Sequence, residues 1–161
     1  MTTVVLLVAL LVFRGLGALG VRRFARWDVS AAHALAVMLV MTASAHFVPG
    51  EVTVMPTHDD LVAMVPPVVP FPSAVIYLTG VLELAGAAGL VTTRWRRPAG
   101  LCLALLFVLM LPANVYAALT DSAMASPLWQ RIPEQVLYIG FALWAARSVR
   151  ARERERVPAG G

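Results

Sequence analysis

The stretch GVLELAGAAGL, residues 80–90, places a carboxyl group, Glu83, in the middle of an apolar run of membrane thickness. A desolvated carboxylate without a partner takes up a proton, and a neutral carboxylic acid in an apolar site is a suitable general acid. Other polar side chains fall toward one end of their own apolar runs: His46 in SAHFVP, Asn114 in LPANVY, Tyr77, and Glu134 with Gln135. At similar depth, His46, Tyr77, Asn114 and Gln135 could line one cavity for a lipophilic ligand. His46, Glu83 and Glu134 are the candidates for moving protons, with Asn114 or Tyr77 polarising a substrate. Counted along the helices at about 1.5 Å per residue, Glu83 and His46 are separated by about 10 Å in depth. His46 with Glu134 is therefore the better-placed dyad. Arg14 lies well inside the first apolar run and cannot easily lose its proton. Glu83 is the acid at comparable depth, so an Arg14–Glu83 ion pair is expected, the alternative being an Arg14 that reaches back to the interface.

Plainer readings exist for each residue. His46 suits an interface, Asn114 a helix–helix hydrogen bond, and Tyr77, Trp129, Tyr138 and Trp144 an aromatic belt. Glu134 suits the first turn of a helix, where the dipole favours an acid. His33 and His58 read as interface or loop residues. The three histidines lie on different segments without HxxxH or HExxH spacing, so no metal site is expected. The single cysteine, Cys102, excludes an internal disulfide and a CxxC redox pair. A P-loop and a GxSxG elbow are absent from the sequence.

These groups need elements to hold them, and composition dictates which. Of 161 residues, 60% are hydrophobic and 14% charged, too apolar for a soluble domain to hide. The fold class is all-α: an integral membrane helical bundle in a single unit, residues 1–149. A membrane helix needs about 20 mostly apolar residues. Five segments qualify, at 3–21, 29–48, 72–92, 98–119 and 131–149, giving a four-helix core plus an N-terminal span. The first is shortest and carries Arg14. It lacks a basic n-region and a small-residue cleavage site, so it is expected to stay as a helix.

All 13 basic residues are arginine. Arg22, Arg23 and Arg26, then Arg94, Arg96 and Arg97, then Arg147 and the tail at residues 150–161 occupy alternate connections. The other loops carry Glu51, Asp59, Asp60 and Asp121 instead. The positive-inside rule puts the N-terminus outside and the C-terminus in the cytoplasm, and it reads the arginines as a topology signal rather than a nucleic-acid footprint. In the outer loop, 49–71, and the start of the next span, the Pro-rich stretch MVPPVVPFPS (64–73) is expected to be an extended segment lying on the membrane surface or capping the bundle. Pro72 and Pro98 should open helices, and Pro112 should kink one beside Asn114. Gly80, Gly86 and Gly89 thin the helix that carries Glu83, so a neighbour can approach closely.

The segments SAHFVP (44–49), AMVPPVVPFP (63–72), YLTGVLELAGAAGLV (77–91), RRPAG (96–100) and LPANVYAAL (111–119) resemble the DoxX-like family of small bacterial membrane proteins. The resemblance covers about residues 30 to 148. It implies a compact helical bundle in the bacterial cytoplasmic membrane. The family is named after a subunit of a thiosulfate:quinone oxidoreductase, and other relatives are linked to redox complexes. The redox CxxC of some wider relatives is absent, so dithiol chemistry is not implied. Two functional readings follow. The first is a non-catalytic module that binds a quinone or other lipophilic molecule, or anchors a partner protein of a redox or stress-related complex. The second is a small membrane-embedded enzyme doing acid/base chemistry on a hydrophobic substrate.

Overall fold

In a computed structural model, which describes residues 1–51, 55–120 and 127–156 and side chains as far as Arg147, the chain folds as helices joined by turns. Its elements are α1 (Thr2–Ala18), a 3-10 turn (Arg22–Phe24), α2 (Trp27–Ser44), α3 (His58–Ala63), α4 (Pro72–Val91), α5 (Arg96–Leu119) and α6 (Leu128–Arg156). Among the described residues there is no strand. Three helices, α2, α4 and α5, are long and apolar enough to cross a membrane, while α1 is apolar but shorter, at 17 residues. Asp121 and the side chains of Arg150, Arg152, Arg154 and Arg156 lie outside the described residues.

Helix α2 is the centre of the molecule. It contains neither glycine nor proline, and its alanine, leucine and methionine content favours helix. Its small side chains Ala31, Ala32, Ala34 and Ala43 are wholly buried, which lets α1, α4 and α6 pack directly on it. Helix α5 completes the bundle by packing between α4 and α6. Leu35, Leu39, Leu90, Leu103, Phe107 and Tyr138 fill the interior. The outward faces carry Leu11 on α1, Val81 on α4 and Leu105 and Leu109 on α5, all largely exposed. Such an apolar girdle is stable against lipid tails and unstable against water.

The helix ends are held by local polar bonds. Asp28 accepts two bonds from Arg26, at 3.1 Å each, in the first turn of α2. Arg23 donates to Val91 O and Arg96 to Leu90 O, each at 2.8 Å, so two guanidinium groups close the carbonyl end of α4. The positively charged connections therefore also cap helices.

Some boundaries depart from expectation. The first helix stops at Ala18, short of residue 21, because Gly20 adopts φ 100° and turns the chain. The last helix does not stop at residue 149 but runs on to Arg156, since Arg, Glu and Ala are good helix formers. The outer loop also contains a short helix. Thr57 and Asp60 form a reciprocal capping box that starts the short helix α3. The Pro-rich part after α3 is turns, and Phe71, at φ 53°, redirects the chain into α4 with Pro72 in its first turn. Helix α5 continues through Pro112 as one element.

Helix contacts this close test simply. A Cβ at Gly100 would stand 2.5 Å from the Ala142 carbonyl oxygen, whereas one at Gly140 meets nothing within 4 Å. Gly100→Ala must push α5 off α6 and is expected to cost roughly 1–3 kcal/mol, read as a fall in Tm in detergent. Gly140→Ala should leave Tm unchanged or raise it, gaining about 1 kcal/mol of helix propensity.

Candidate functional site

The polar site lies between α2 and α4, which run antiparallel. Thr42, in the last turn of α2, donates from Oγ1 to Glu83 Oε2 at 3.1 Å. The chain leaves α2 at Ser44 in a tight turn, and His46 folds back against α4. Its Nδ1 lies 2.7 Å from Ile76 O and 3.2 Å from Thr79 Oγ1. Its Nε2 faces Glu83 Oε1 at 3.8 Å. Gly80 makes this possible, because a Cβ there would stand 2.6 Å from His46 Cβ. Both side chains are sealed, at 5% exposure each.

The hydrogen bonds define the chemistry. A backbone carbonyl only accepts, so His46 Nδ1 carries a proton and donates to Ile76 O. Nε2 is then the atom that gains or loses a proton opposite the carboxyl. The 3.8 Å separation is an ion-pair distance, longer than a direct hydrogen bond. One proton can therefore reside on Glu83, giving a neutral acid beside a neutral imidazole, or on His46, giving carboxylate beside imidazolium. Neither state adds net charge to the apolar interior, which is what makes the pair tolerable there.

The site continues outward. His58 Nδ1 donates to His46 O at 2.8 Å, and Ser73 Oγ donates to His58 Nε2 at 2.8 Å. Tyr77 stacks on the His58 ring at 4.1 Å between centroids. A line of polar groups thus runs from Thr42 and Glu83, through His46 and His58, to Ser73 at the start of α4.

Several sequence-based expectations need correction. Arg14 does not meet Glu83. Its Nη1 donates to Phe24 O at 2.7 Å and its guanidinium lies over the Trp27 ring at 4.6 Å. The difference is one of depth: α1 ends at Ala18, so Arg14 is one turn from the helix end and level with the start of α2. Glu83 is level with Thr42, and from Trp27 to Thr42 α2 rises about 22 Å. The spacing of His46 from Glu83 is shorter than expected for a related reason. The first turns of α4 stand beside α3, above the end of α2, so Glu83 is about one helical turn below His46 rather than two. His46 pairs with Glu83 and not with Glu134. Glu134 accepts from Thr3 Oγ1 at 3.1 Å and from Gln130 Nε2 at 3.3 Å, and Tyr138 bonds Thr2 at 2.7 Å, so these groups tie the start of α1 to α6.

His46, Tyr77, Asn114 and Gln135, expected to share a cavity, line neither of two open apolar grooves of the bundle. His46 is buried between α2 and α4, Tyr77 is 46% exposed, and Asn114 and Gln135 are buried on α5 and α6. Among the described residues no hydrogen bond joins Asn114 or Gln135 to His46 or Tyr77, and Gln135 Oε1 is without a partner. The two grooves lie elsewhere. One, of about 370 Å³, runs between α1 and α2; the other, of about 420 Å³, lies among α1, α2 and α4 and includes His33. No group of three or more metal-ligating side chains occurs among the described residues. Sequence reasoning passed over Thr42, His58 and Ser73. One local signal exists: THDD is a capping-box pattern that fixes His58 at a helix start.

The family described as Domain of unknown function (DUF8561) matches residues 35–146, more than two thirds of the chain, and the chain belongs to that family. The match spans Thr42, His46, His58, Ser73 and Glu83, and it begins just after His33. No curated protein and no solved structure matches the chain.

Pairing can be measured by double-mutant cycles on unfolding free energy. His46→Ala and Glu83→Ala are expected to couple by about 0.5–3 kcal/mol, because each removes the other's partner. Arg14→Ala and Glu83→Ala should add to within about 0.5 kcal/mol, as distant sites do. The reverse pattern would restore the Arg14–Glu83 pair.

Proposed function

We propose that this member of the DUF8561 family is a multi-pass protein of the bacterial cytoplasmic membrane that acts as a non-catalytic module, taking a quinone or other lipophilic molecule into the groove among α1, α2 and α4. The observation that carries this reading is the groove itself. Its walls are apolar, it opens beside Val37 and Val40, which are 43% and 55% exposed, and one buried imidazole, His33, stands in its lining. That combination of apolar wall and a single orienting polar group is what small lipophilic ligands use. The DoxX-like resemblance favours the same reading, and it extends to anchoring a redox partner protein.

Five spans, with the N-terminus outside and the C-terminus in the cytoplasm, suit the polar groups at the two ends. Arg14, Arg23, Arg26 and Arg96 make their bonds at one end, while Thr2, Thr3 and Glu134 meet at the other. The enzymatic alternative has one observation in its favour, the Glu83–His46 pair. Against it, both side chains are sealed and neither groove is lined by either of them. The pair is better placed to join α2 to α4 than to meet a substrate.

The test is mass spectrometry of the protein extracted in its native lipid patch without detergent. A stoichiometric lipophilic molecule is expected, lost in Val40→Trp, which fills the groove mouth. A co-purifying protein with no specific small molecule would replace the ligand-binding reading with an anchoring one.

A further inference from the structure

We infer that the groove among α1, α2 and α4 selects an apolar chain bearing a hydroxyl group, which donates a hydrogen bond to His33 Nε2. This rests on the groove being a ligand site, as proposed above, and adds the chemical class of what it takes.

His33 is buried, at 7% exposure, on the second turn of α2. Its Nδ1 lies 2.7 Å from Val29 O, one turn back on the same helix. The carbonyl can only accept, so Nδ1 carries the proton. Among the described residues no carboxylate lies within ion-pair distance of the ring, which leaves a neutral imidazole with a bare lone pair on Nε2. That atom is shielded from water and has no hydrogen-bond partner. The ring cannot turn cheaply to find one. Phe13 and Phe24 hold it edge-on, with centroids 5.5 and 5.0 Å away, and turning it would break the bond to Val29 O.

The other two histidines sharpen the contrast. Each also places Nδ1 on a backbone carbonyl, and each has a group opposite Nε2: Ser73 for His58 and Glu83 for His46. Of the three histidines only His33 has an unanswered acceptor, and it is the polar residue in the lining of an otherwise apolar groove. An occupant that completes the site must therefore donate. Alcohols and phenols qualify. Ethers, esters and ketones present only lone pairs and leave Nε2 unsatisfied. Sites built on a buried polar group reject analogues that cannot pair with it far more strongly than apolar pockets reject a missing methylene. The same rule distinguishes a hydroquinone, which has the hydroxyl, from its oxidised quinone, which lacks it. His33 Nε2 is shielded in this arrangement, so Phe13, half-buried and flanking both groove and imidazole, must give way when the hydroxyl enters.

The test uses the full-length protein in lipid nanodiscs with 15N-labelled histidine. Geranylgeraniol and its methyl ether are titrated in parallel, then a decyl-substituted hydroquinone and its quinone under anaerobic conditions. The alcohol and the hydroquinone are expected to bind at least about tenfold more tightly than their partners, from the loss of one buried hydrogen bond. They should also shift the His33 Nε2 resonance, which begins as that of an unprotonated nitrogen. Whichever hydroxyl compound binds more tightly identifies a lipid alcohol or a quinol as the source. His33→Phe should bind each pair without preference, and Val40→Trp should bind none. Equal binding of both members of each pair, with His33 unmoved, would overturn the hydroxyl inference while keeping the groove as a ligand site. An Nε2 that carries the proton from the outset would overturn it too. If none of the four compounds binds, the groove reading itself fails.

Discussion

A carboxyl group inside an apolar bundle must find its partners within the protein, because lipid offers none. Glu83 finds Thr42 and His46, and that requirement sets how α2 and α4 lie against each other. For Oε2 to meet Thr42 and Oε1 to face His46, the last turn of α2 must sit level with the middle of α4. For His46 to reach in, the chain must turn at the end of α2, and residue 80 must lack a side chain. For His46 to hold its tautomer, its Nδ1 must reach Ile76 O. A charged residue at the centre of a membrane helix costs about 2.5–3.5 kcal/mol even on the lenient insertion scale. A carboxyl and an imidazole that share one proton escape most of that cost, since the pair is neutral overall wherever the proton resides.

The same logic explains the arginines. A guanidinium cannot shed its charge, so Arg14, Arg23 and Arg96 are kept at helix ends, where unsatisfied carbonyl groups need donors. Arg23 and Arg96 close the carbonyl end of α4, and Arg14 ties the connection between α1 and α2 back to α1. At the opposite end, hydroxyl groups of Thr2 and Thr3 meet Glu134 and Tyr138 and bring the start of α1 onto α6. Between these two polar ends, α2 supplies small buried residues and its neighbours present large apolar ones to the outside.

Much of this architecture is legible in the sequence. Apolar run length and the placement of arginine mark the helices, and Pro72 marks the start of α4 to the residue. Gly80 with Glu83 on one helix face predicts a tight polar contact there, and the contact exists. What the sequence hid was register. Depth counted from the ends of apolar runs assumes that every helix starts and stops at one plane. Here α4 overshoots α2 by its first turns, which pack on α3, and α1 stops early at Gly20. The shift of α4 is about a turn and brings Glu83 to His46, while Arg14 lies at the far end of α2, about 22 Å from the level of Glu83. The tautomers of the histidines were also beyond reach, since each depends on a backbone carbonyl that only the fold brings near.

The Glu83–His46 contact is therefore the point at which the arrangement of α2 and α4 stands or falls. Its most direct measurement is a 13C–15N dipolar coupling by solid-state NMR, in lipid bilayers, between the Glu83 side-chain carboxyl carbon and His46 Nε2. With the nearest oxygen 3.8 Å from that nitrogen, a clearly resolved coupling is predicted, and it should vanish in His46→Gln. No coupling to His46, or a coupling from the same carbon to the Arg14 guanidinium, would contradict the register on which the site is built.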